Sequence, residues 1–189
     1  MHRDDLQLVT SRLILRPVRL EDLDGWADMM ADAETARFIG GVQPRAAAWR
    51  GLMCMAGAWC TTGIAMFSVI EKASGRWIGR VGPWRPEAWP GTEVGWAIAR
   101  EFCGRGYATE AAAATIDYAF HRLGWDEVIH CIDPENLPSQ AVARKLGARN
   151  RGRGRMPAPF EQAVIDIWGQ SRAEWLTART ELKLDPSVP

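Results

Sequence analysis

Residues 103–110 read Cys103-Gly104-Arg105-Gly106-Tyr107-Ala108-Thr109-Glu110. A mostly apolar run at 93–99 precedes them and predicts a strand. After them, apolar residues recur every three or four positions and predict a helix at 108–123, which Gly124 ends. The two glycines of the quoted stretch therefore fall in a strand-to-helix turn, where bare backbone N–H groups meet the positive end of the helix dipole. This turn predicts a site for a phosphorylated ligand.

Three kinds of phosphate-binding turn have glycines at similar spacings. A nucleotide-binding P-loop ends in Gly-Lys-Ser/Thr, and no lysine follows Gly106, which excludes it. A dinucleotide-binding turn needs a third glycine where this chain has Thr109, and no alternation of strands and helices leads up to it. The third pattern, x-x-x-Gly-x-Gly/Ala, is present at 103–108. Its alternative is an ordinary glycine-rich turn that binds nothing.

The third pattern resembles the pyrophosphate loop of the GNAT superfamily of acyl-CoA-dependent N-acyltransferases. Three further segments resemble the same superfamily in the same order, in its branch similar to the RimJ and RimL ribosomal-protein acetyltransferases. They are Thr10-Ser11-Arg12-Leu13-Ile14-Leu15-Arg16-Pro17, Asn136-Leu137-Pro138-Ser139-Gln140-Ala141-Val142-Ala143-Arg144-Lys145-Leu146-Gly147 and Ala163-Val164-Ile165-Asp166-Ile167-Trp168-Gly169. The resemblance thus extends over about residues 10–170.

This resemblance implies a mixed α/β fold, with a central, largely antiparallel sheet of six to seven strands flanked by helices. It also implies an enzyme that moves an acetyl group from acetyl-CoA directly to a primary amine, either a small molecule or a protein N-terminus. Two alternatives stay open. One is a transferase for another short acyl-CoA, and the other is a module that binds acetyl-CoA without turnover.

Composition agrees with a soluble globular protein. The chain has 189 residues, of which 47% are hydrophobic and 24% charged, and its formal net charge is zero. Zero charge argues against a dedicated nucleic-acid or membrane-surface binder. No apolar run follows Met1, and no stretch is long enough to span a membrane. The cysteines show no Cys-x-x-Cys spacing and the histidines do not cluster with them, which argues against a metal. We expect a cytoplasmic monomer or homodimer.

The chain reads as one domain over 1–189, with its core at about 8–170 and a C-terminal helix at about 172–183. Strands are predicted at 8–16, 65–71, 76–84, 92–99 and 127–133, and a final hairpin at about 149–155 and 162–169. Further helices are predicted to begin at Glu21, to run from Pro44 to about Cys60 and to cover 137–146. The last residues, 184–189, are expected to fray.

The strand at 92–99 has two unlike faces. Alternation places Val94, Trp96 and Ile98 on a bulky face that should join the core. The other face carries Glu93 followed by small residues, which lets a ligand approach the backbone. If the next strand splays away, free backbone groups can pair with an extended ligand. The resemblance implies that the pantetheine arm of coenzyme A pairs there, at Ala97, Ile98 and Ala99.

Glu93 is the candidate general base. Amine acylation needs a base that takes the amine proton and donors that stabilise the oxyanion. Glu93 lies on the ligand-facing side, and the resemblance implies that a glutamate here acts as the base, often through water. Backbone N–H groups near Ala97 or Ile98 are the candidate oxyanion donors. A solvated carboxylate is the alternative for Glu93, and His130 on the neighbouring strand is the reserve base.

Ser139 and Asn136 are candidates on the following helix. Many superfamily members have a tyrosine seven residues after the asparagine, where this chain has Ala143. Ser139 can protonate the departing thiolate, directly or through water, or contact the cofactor, and the thiolate can also leave unaided. Asn136 can cap the helix, bind the pantetheine arm, or do both. The loop itself is expected to bind pyrophosphate through the backbone of Cys103, Gly104, Arg105, Gly106, Tyr107, Ala108 and Thr109.

Six basic residues lie within twelve positions without an acid among them: Arg144, Lys145, Arg149, Arg151, Arg153 and Arg155. On a regular strand the last four share one face. That face can bind an acidic substrate, the 3′-phosphate of coenzyme A or RNA, and a solvated hairpin face is the alternative. The tryptophans of the 83–91 loop can line an acceptor pocket or simply pack. Because the formal net charge of the chain is zero, neither nucleic acid nor a membrane is expected as a partner.

Overall fold

The computed structural model describes residues 6–182 and contains one eight-stranded sheet in the order β1-β2-β3-β4-β5-β6-β8-β7. Helices α1 to α6 connect and flank its strands. The strands are β1 Leu8–Val9, β2 Leu13–Arg16, β3 Phe67–Glu71, β4 Trp77–Trp84, β5 Glu93–Ile98, β6 Glu127–Ile132, β7 Arg149–Arg153 and β8 Asp166–Ser171. The helices are α1 Leu23–Ala31, α2 Ala33–Ala36, α3 Arg45–Thr61, α4 Tyr107–His121, α5 Leu137–Lys145 and α6 Arg172–Glu181. The predicted fold class is confirmed.

The sheet has more strands than predicted because the first predicted strand, 8–16, is a hairpin. Leu8 pairs with Leu15 in an antiparallel register. The turn is closed by Thr10, whose backbone N–H donates to the Leu13 carbonyl over 3.0 Å and whose hydroxyl accepts from the Leu13 N–H over 3.0 Å. The turn residues 10–12 are Thr-Ser-Arg, and the prediction of a single strand passed over this short polar break, which contains no Gly, Pro, Asn or Asp.

Two layers of helices cover the sheet. On one face Phe67 of β3 contacts Tyr118 of α4, with ring centroids 5.6 Å apart. On the other face Trp77 of β4 contacts Trp26 of α1 at 6.2 Å. The β5 alternation follows this division, because Val94 and Ile98 are buried in the core on the α4 side. Glu93 and Gly95 therefore face the α1 side.

Strand pairing changes from antiparallel to parallel near the middle of the sheet. Every neighbouring pair from β1 to β5 is antiparallel, and so are β6–β8 and β8–β7. Strands β5 and β6 are parallel, and their register contains a single pair, Glu93 with Ile129. Beyond this pair the two strands separate. We call this point, between Glu93–Ile98 and Glu127–Ile132, the fork.

The arginines of β7 do not share one face, which corrects the sequence prediction. The β7–β8 register pairs Arg149 with Gly169 but Arg153 with Asp166, so β7 contains one extra residue. Gly152 has φ +100° at this bulge. A one-residue bulge reverses the faces beyond it. Arg151 pairs with Glu127 at 2.6 Å and Arg153 with Asp166 at 3.5 Å, so both are engaged by acids of this chain.

Helices α3 and α6 begin where the sequence predicts. Helix α3 follows Pro44, and α6 begins after Ser171, whose side chain accepts from the Glu174 N–H in a capping box. The α6 helix ends at Glu181. The predicted last helical residue, Lys183, and the tail at 184–189 lie outside the described residues.

Candidate active site

At the fork, side chains take the hydrogen bonds that a continuous parallel ladder would have made. The Ile129 N–H donates to the Thr92 carbonyl over 2.9 Å, and this is the last ordinary bond. The next ladder donor, the Cys131 N–H, donates instead to Glu93 Oε1 over 3.0 Å. The next acceptor, the Val94 carbonyl, accepts instead from His130 Nδ1 at 2.6 Å. Glu93 and His130 thus hold the two strands together at the point where they part.

The fork leaves backbone groups of β5 without a strand beside them. The Thr92 and Val94 carbonyls point towards β6, whereas the Ala99 N–H donates to Ile78 on the β4 side over 2.8 Å. Backbone direction alternates along a strand, so Trp96 and Ile98 point into the gap. Of the three residues predicted to hold the pantetheine arm, only Ile98 offers its N–H there. The N–H groups of Ala97 and Ala99 point to β4.

Trp96 is a candidate site residue that the sequence pattern assigned only to the core. Its backbone N–H and carbonyl point into the gap between β5 and β6. Strand order decides which neighbouring strand each β5 backbone group faces, and the alternation of side chains in the sequence does not reveal strand order. Its indole Nε1 donates to Ser139 Oγ over 3.2 Å. Its ring also lies 4.8 Å from that of His130. Trp96 therefore joins β5 to the first turn of α5.

Glu93 is almost enclosed, with 7% of its surface exposed. Its Oε2 accepts from Trp89 Nε1 over 2.6 Å, and its Oε1 accepts from the Cys131 N–H. Burial raises the pKa of the Glu93 carboxyl, and the Cys131 and Trp89 donors oppose this only in part. A carboxylate with a raised pKa is a stronger base. For Trp89, in the 83–91 loop, the sequence offered only two roles, lining an acceptor pocket or packing, and neither includes this hydrogen bond to Glu93.

His130 does not share this environment. It is 1% exposed and lies on the opposite face of the sheet, against Trp96. Because the Val94 carbonyl can only accept, the Nδ1 carries the hydrogen, and Nε2 has no partner among the described residues. Burial lowers the pKa of His130 to about 4, so the ring stays neutral. The geometry favours a structural role over that of reserve base.

Helix α5 presents the other predicted pair. The Asn136 side chain accepts from the Ser139 N–H over 3.1 Å, so its predicted capping role is confirmed. Ser139 receives a hydrogen bond from Trp96, which leaves its own hydroxyl hydrogen for another acceptor. Ala143, at the position where many superfamily members have tyrosine, is fully buried. Ser139 and Glu93 lie on opposite faces of β5, on the two sides of the gap.

The glycine-rich turn has the geometry that the sequence predicts. Gly104 has φ +75° and Gly106 has φ +82°, both left-handed, and Gly106 caps α4. The first N–H that is bonded within the helix belongs to Glu110, which donates to the Gly106 carbonyl over 3.1 Å. The N–H groups of the first helical residues, 107–109, therefore point out of the helix end. Such a helix end binds anions.

Cys103 contributes differently from the prediction. Its N–H donates to the Arg100 carbonyl over 3.0 Å, so this donor is already occupied and is not available to a pyrophosphate. Its Sγ lies 3.4 Å from the Ile98 carbonyl, at the end of β5. The other predicted loop residues, Gly104, Arg105, Gly106, Tyr107, Ala108 and Thr109, keep their predicted position around the helix end.

A brace from the β1–β2 turn holds this loop, and the sequence analysis missed it. Glu110 is 3% exposed and accepts from Thr10 Oγ1 over 2.6 Å and from Arg12 Nε over 2.6 Å. Arg12 Nη1 also donates to the Arg105 carbonyl over 2.9 Å. On the other side, the Tyr107 hydroxyl donates to Glu71. The Thr10 and Arg12 contacts join residues 93 to 100 positions apart and the Tyr107 contact joins residues 36 apart, so short-range patterns do not show them.

Comparison with known proteins identifies the family. The family model for the acetyltransferase (GNAT) domain matches residues 12–149. The uncharacterized N-acetyltransferase p20 of Bacillus licheniformis is 29% identical over 165 residues, which cover 85% of this chain and 92% of p20. The crystal structure of an acetyltransferase from Agrobacterium tumefaciens is 27% identical, with a TM-score of 0.78, and covers 91% of this chain and 98% of its own.

The fold alone is shared with Mycobacterium smegmatis RimJ in complex with CoA-disulfide. That structure has 22% identity and a TM-score of 0.69, and covers 95% of this chain and 98% of its own. Within residues 6–182, no helix is long and apolar enough to cross a membrane, and no group of three or more His, Cys, Asp or Glu residues could hold a metal. With the fork, the left-handed glycines and the family match together, this chain belongs to the GNAT acetyltransferase family of transferases.

Proposed function

We propose that this protein is an acetyl-CoA-dependent N-acetyltransferase that moves the acetyl group directly to a primary amine in a ternary complex. The observation that carries this proposal is the position of Glu93 at the fork. A buried carboxylate with a raised pKa lies where a ligand threaded between β5 and β6 would end. The acceptor is a small-molecule amine or a protein N-terminus, and the protein acts in the cytoplasm as a monomer or homodimer.

The proposed donor site runs from the glycine-rich turn to the fork. The outward N–H groups of 107–109 would hold the pyrophosphate, since a helix end with left-handed glycines before it favours an anion. The backbone of Trp96 and Ile98 would pair with the two amides of the pantetheine arm. Asn136, which already caps α5, lies at the other side of the gap. Acetyl-CoA supplies the activated acetyl group.

Different residues at the fork would then remove and supply the protons of the reaction. Glu93 removes the proton from the acceptor ammonium, directly or through one water, because an ammonium has no lone pair with which to attack. The N–H of Trp96, the gap-facing donor nearer to Glu93, donates to the carbonyl oxygen as it becomes negative. The Ile98 N–H and the Trp96 and Ile98 carbonyls are then left for the pantetheine amides. Ser139, on the far side of the gap, donates its hydroxyl hydrogen to the departing thiolate. A thiol has an ordinary pKa of about 8.5, so departure without a donor costs little at neutral pH.

A thiol-release assay tests this proposal. The purified protein is given acetyl-CoA and one amine at a time, from small amines to short peptides with free N-termini, and free thiol is followed. We expect amine-dependent thiol release with a matching amount of acetylated amine by mass spectrometry. Acetyl-CoA binding in calorimetry without release by any amine would instead support a binding module. Thiol release with another short acyl-CoA but not with acetyl-CoA would mean that acetyl-CoA is not the donor.

A further inference from the structure

Arg80 of β4 carries a charge that forms no ion pair with an acid among residues 6–182. Among residues 6–182 its guanidinium contacts the Met66 sulfur, 3.7 Å from Nη1, and the Trp26 ring, whose centroid is 4.8 Å from Cζ. Its Nε is enclosed and has no hydrogen-bond partner. Burial lowers the pKa of Arg80 to about 10, so it is still charged at neutral pH. A half-buried cation without an anion is unfavourable, and a bound anion would correct this.

Arg80 faces the same side of the sheet as Glu93. The β4–β5 register places Arg80 opposite Ala97 and Trp84 opposite Glu93, and opposed residues share a face. The two charges influence each other's pKa, yet they form no ion pair. The candidate base and an unpaired cation therefore lie in one region, on the acceptor side of β5.

Met66 occupies the space between the two charges. A Cβ built on Gly95 would lie 2.7 Å from Met66 Cε and 3.7 Å from Glu93 Oε1, and the Met66 sulfur contacts Arg80. Methionine side chains are flexible and repack readily. A small ligand that displaces this thioether can reach Glu93 with one end and Arg80 with the other.

We propose that Arg80 binds an anionic group of the acceptor, so that the substrate is a small amine bearing a carboxylate, as a free amino acid does. This inference rests on the proposed function, in which Glu93 receives the amine. The amine lies at Glu93 and the carboxylate at Arg80, which can bind it through two parallel N–H donors. The aromatic side chains of Trp84, Trp89 and Phe160, with centroids 6.5 Å apart in each neighbouring pair, offer an apolar wall beside Glu93.

Matched acceptors test the assignment. Phenylalanine, phenylalaninamide and phenethylamine share an aromatic ring and a primary amine, and only the first has a carboxylate. Tryptophan and tryptamine form a second pair, and a short peptide with a free N-terminus represents a protein acceptor. The measured quantity is kcat/KM for thiol release at saturating acetyl-CoA, in wild type, Arg80→Met and Arg80→Lys. Comparing each variant with wild type on the same acceptor cancels differences in amine basicity.

We expect wild type to prefer the carboxylate-bearing member of each pair. Arg80→Met should reduce that preference about 10- to 100-fold, the usual worth of a hydrogen bond to a charged group, and Arg80→Lys should retain part of it. Arg122→Met, which removes an exposed arginine beyond the far end of α4, should keep the wild-type preference. Thermal melting checks that each variant is folded.

Two results would overturn the inference and leave the proposed function intact. One is a preference for phenethylamine, tryptamine or the peptide over the carboxylate-bearing amines, or turnover of no carboxylate-bearing amine while other amines react. The other is a preference that Arg80→Met leaves unchanged. Failure of acetyl-CoA to support transfer to any amine would contradict the proposed function itself.

Discussion

The backbone N–H of Cys131 donates to Glu93 Oε1 over 3.0 Å across the point where β5 and β6 separate. One carboxylate therefore does two things. It replaces a ladder bond that the diverging strands cannot make, and it lies at the end of the gap that their divergence opens. The candidate base is thus positioned by the same distortion that creates the candidate donor site, and neither feature is present in a regular sheet.

Replacing Glu93 with glutamine should slow acetyl transfer while acetyl-CoA still binds. Glutamine keeps the shape of the side chain but cannot take a proton, and loss of a general base costs roughly 10²–10⁴-fold in kcat. Calorimetry should give a dissociation constant for acetyl-CoA close to that of wild type. Equal kcat for the two proteins at neutral pH would remove Glu93 from the mechanism.

The pH dependence separates a base from a merely structural carboxylate. Burial raises the pKa of Glu93 above its ordinary value of 4.5, so wild type should lose activity as pH falls through that raised value. This loss adds to the one caused by protonation of the amine, and only the added part should vanish in Glu93→Gln. The defect of the variant should also shrink at high pH, where more of the amine is already neutral.

Replacing Gly106 with valine should weaken acetyl-CoA binding. Gly106 has φ +82°, and a branched side chain cannot adopt this conformation without strain of about 1–2 kcal/mol or more. The loop would rotate and turn its N–H groups away from the ligand, so we expect the dissociation constant measured by calorimetry to rise at least about tenfold.

Gly57→Ala is the matched control for that variant. Gly57 lies within α3, and a Cβ there meets no atom within 4 Å. Its acetyl-CoA affinity should equal that of wild type. Unchanged affinity in Gly106→Val would show that the pyrophosphate binds elsewhere.

The elements of this fold were predictable from sequence where the signal was local. Pro44 and Gly106 mark the starts of α3 and α4. The alternation of side chains along β5 correctly placed Val94 and Glu93 on opposite faces of the strand. The turn at Thr10 was missed because a threonine hydroxyl closes it, and the segment contains none of the Gly, Pro, Asn or Asp residues that usually mark a turn. The reversal at Gly152 was missed because a bulge needs a partner strand to define it.

The site was predictable as a set of segments but not as a set of contacts. Sequence places Glu93, Ser139 and the glycine-rich turn on their elements. It does not show that Ala99 points its N–H at β4, because strand order decides that. Nor does it show Arg80, which is an unremarkable arginine in a strand until the register brings it to the face of Glu93.

Acid should destabilise the fold through His130. Burial lowers its pKa to about 4 from the ordinary 6.5, so between these values the unfolded chain binds a proton that the folded one does not. The contribution of neutral His130 to the free energy of unfolding is therefore fully present above about pH 6.5, and it is lost as pH falls from there to about 4. The shift corresponds to about 3 kcal/mol in the free energy of unfolding.

His130→Gln should remove this pH dependence, because glutamine can still donate to the Val94 carbonyl but does not titrate. Urea unfolding of both proteins at pH 7 and at pH 4 measures the effect. We expect wild type to lose about 3 kcal/mol more than the variant over this range. Equal losses would mean that His130 is protonated without cost in the folded state.

The last prediction concerns the kinetic order, where Cys131 is the residue to test. The structure brings its thiol against the Glu93 carboxyl. Burial and the neighbouring carboxylate raise the pKa of the Cys131 thiol far above its usual range, so it stays protonated and is a poor nucleophile. Direct transfer within a ternary complex therefore predicts initial-rate lines that intersect. Cys131→Ala should keep kcat within a few-fold of wild type, whereas parallel lines or an acetyl group trapped on Cys131 would show that the protein is acetylated first.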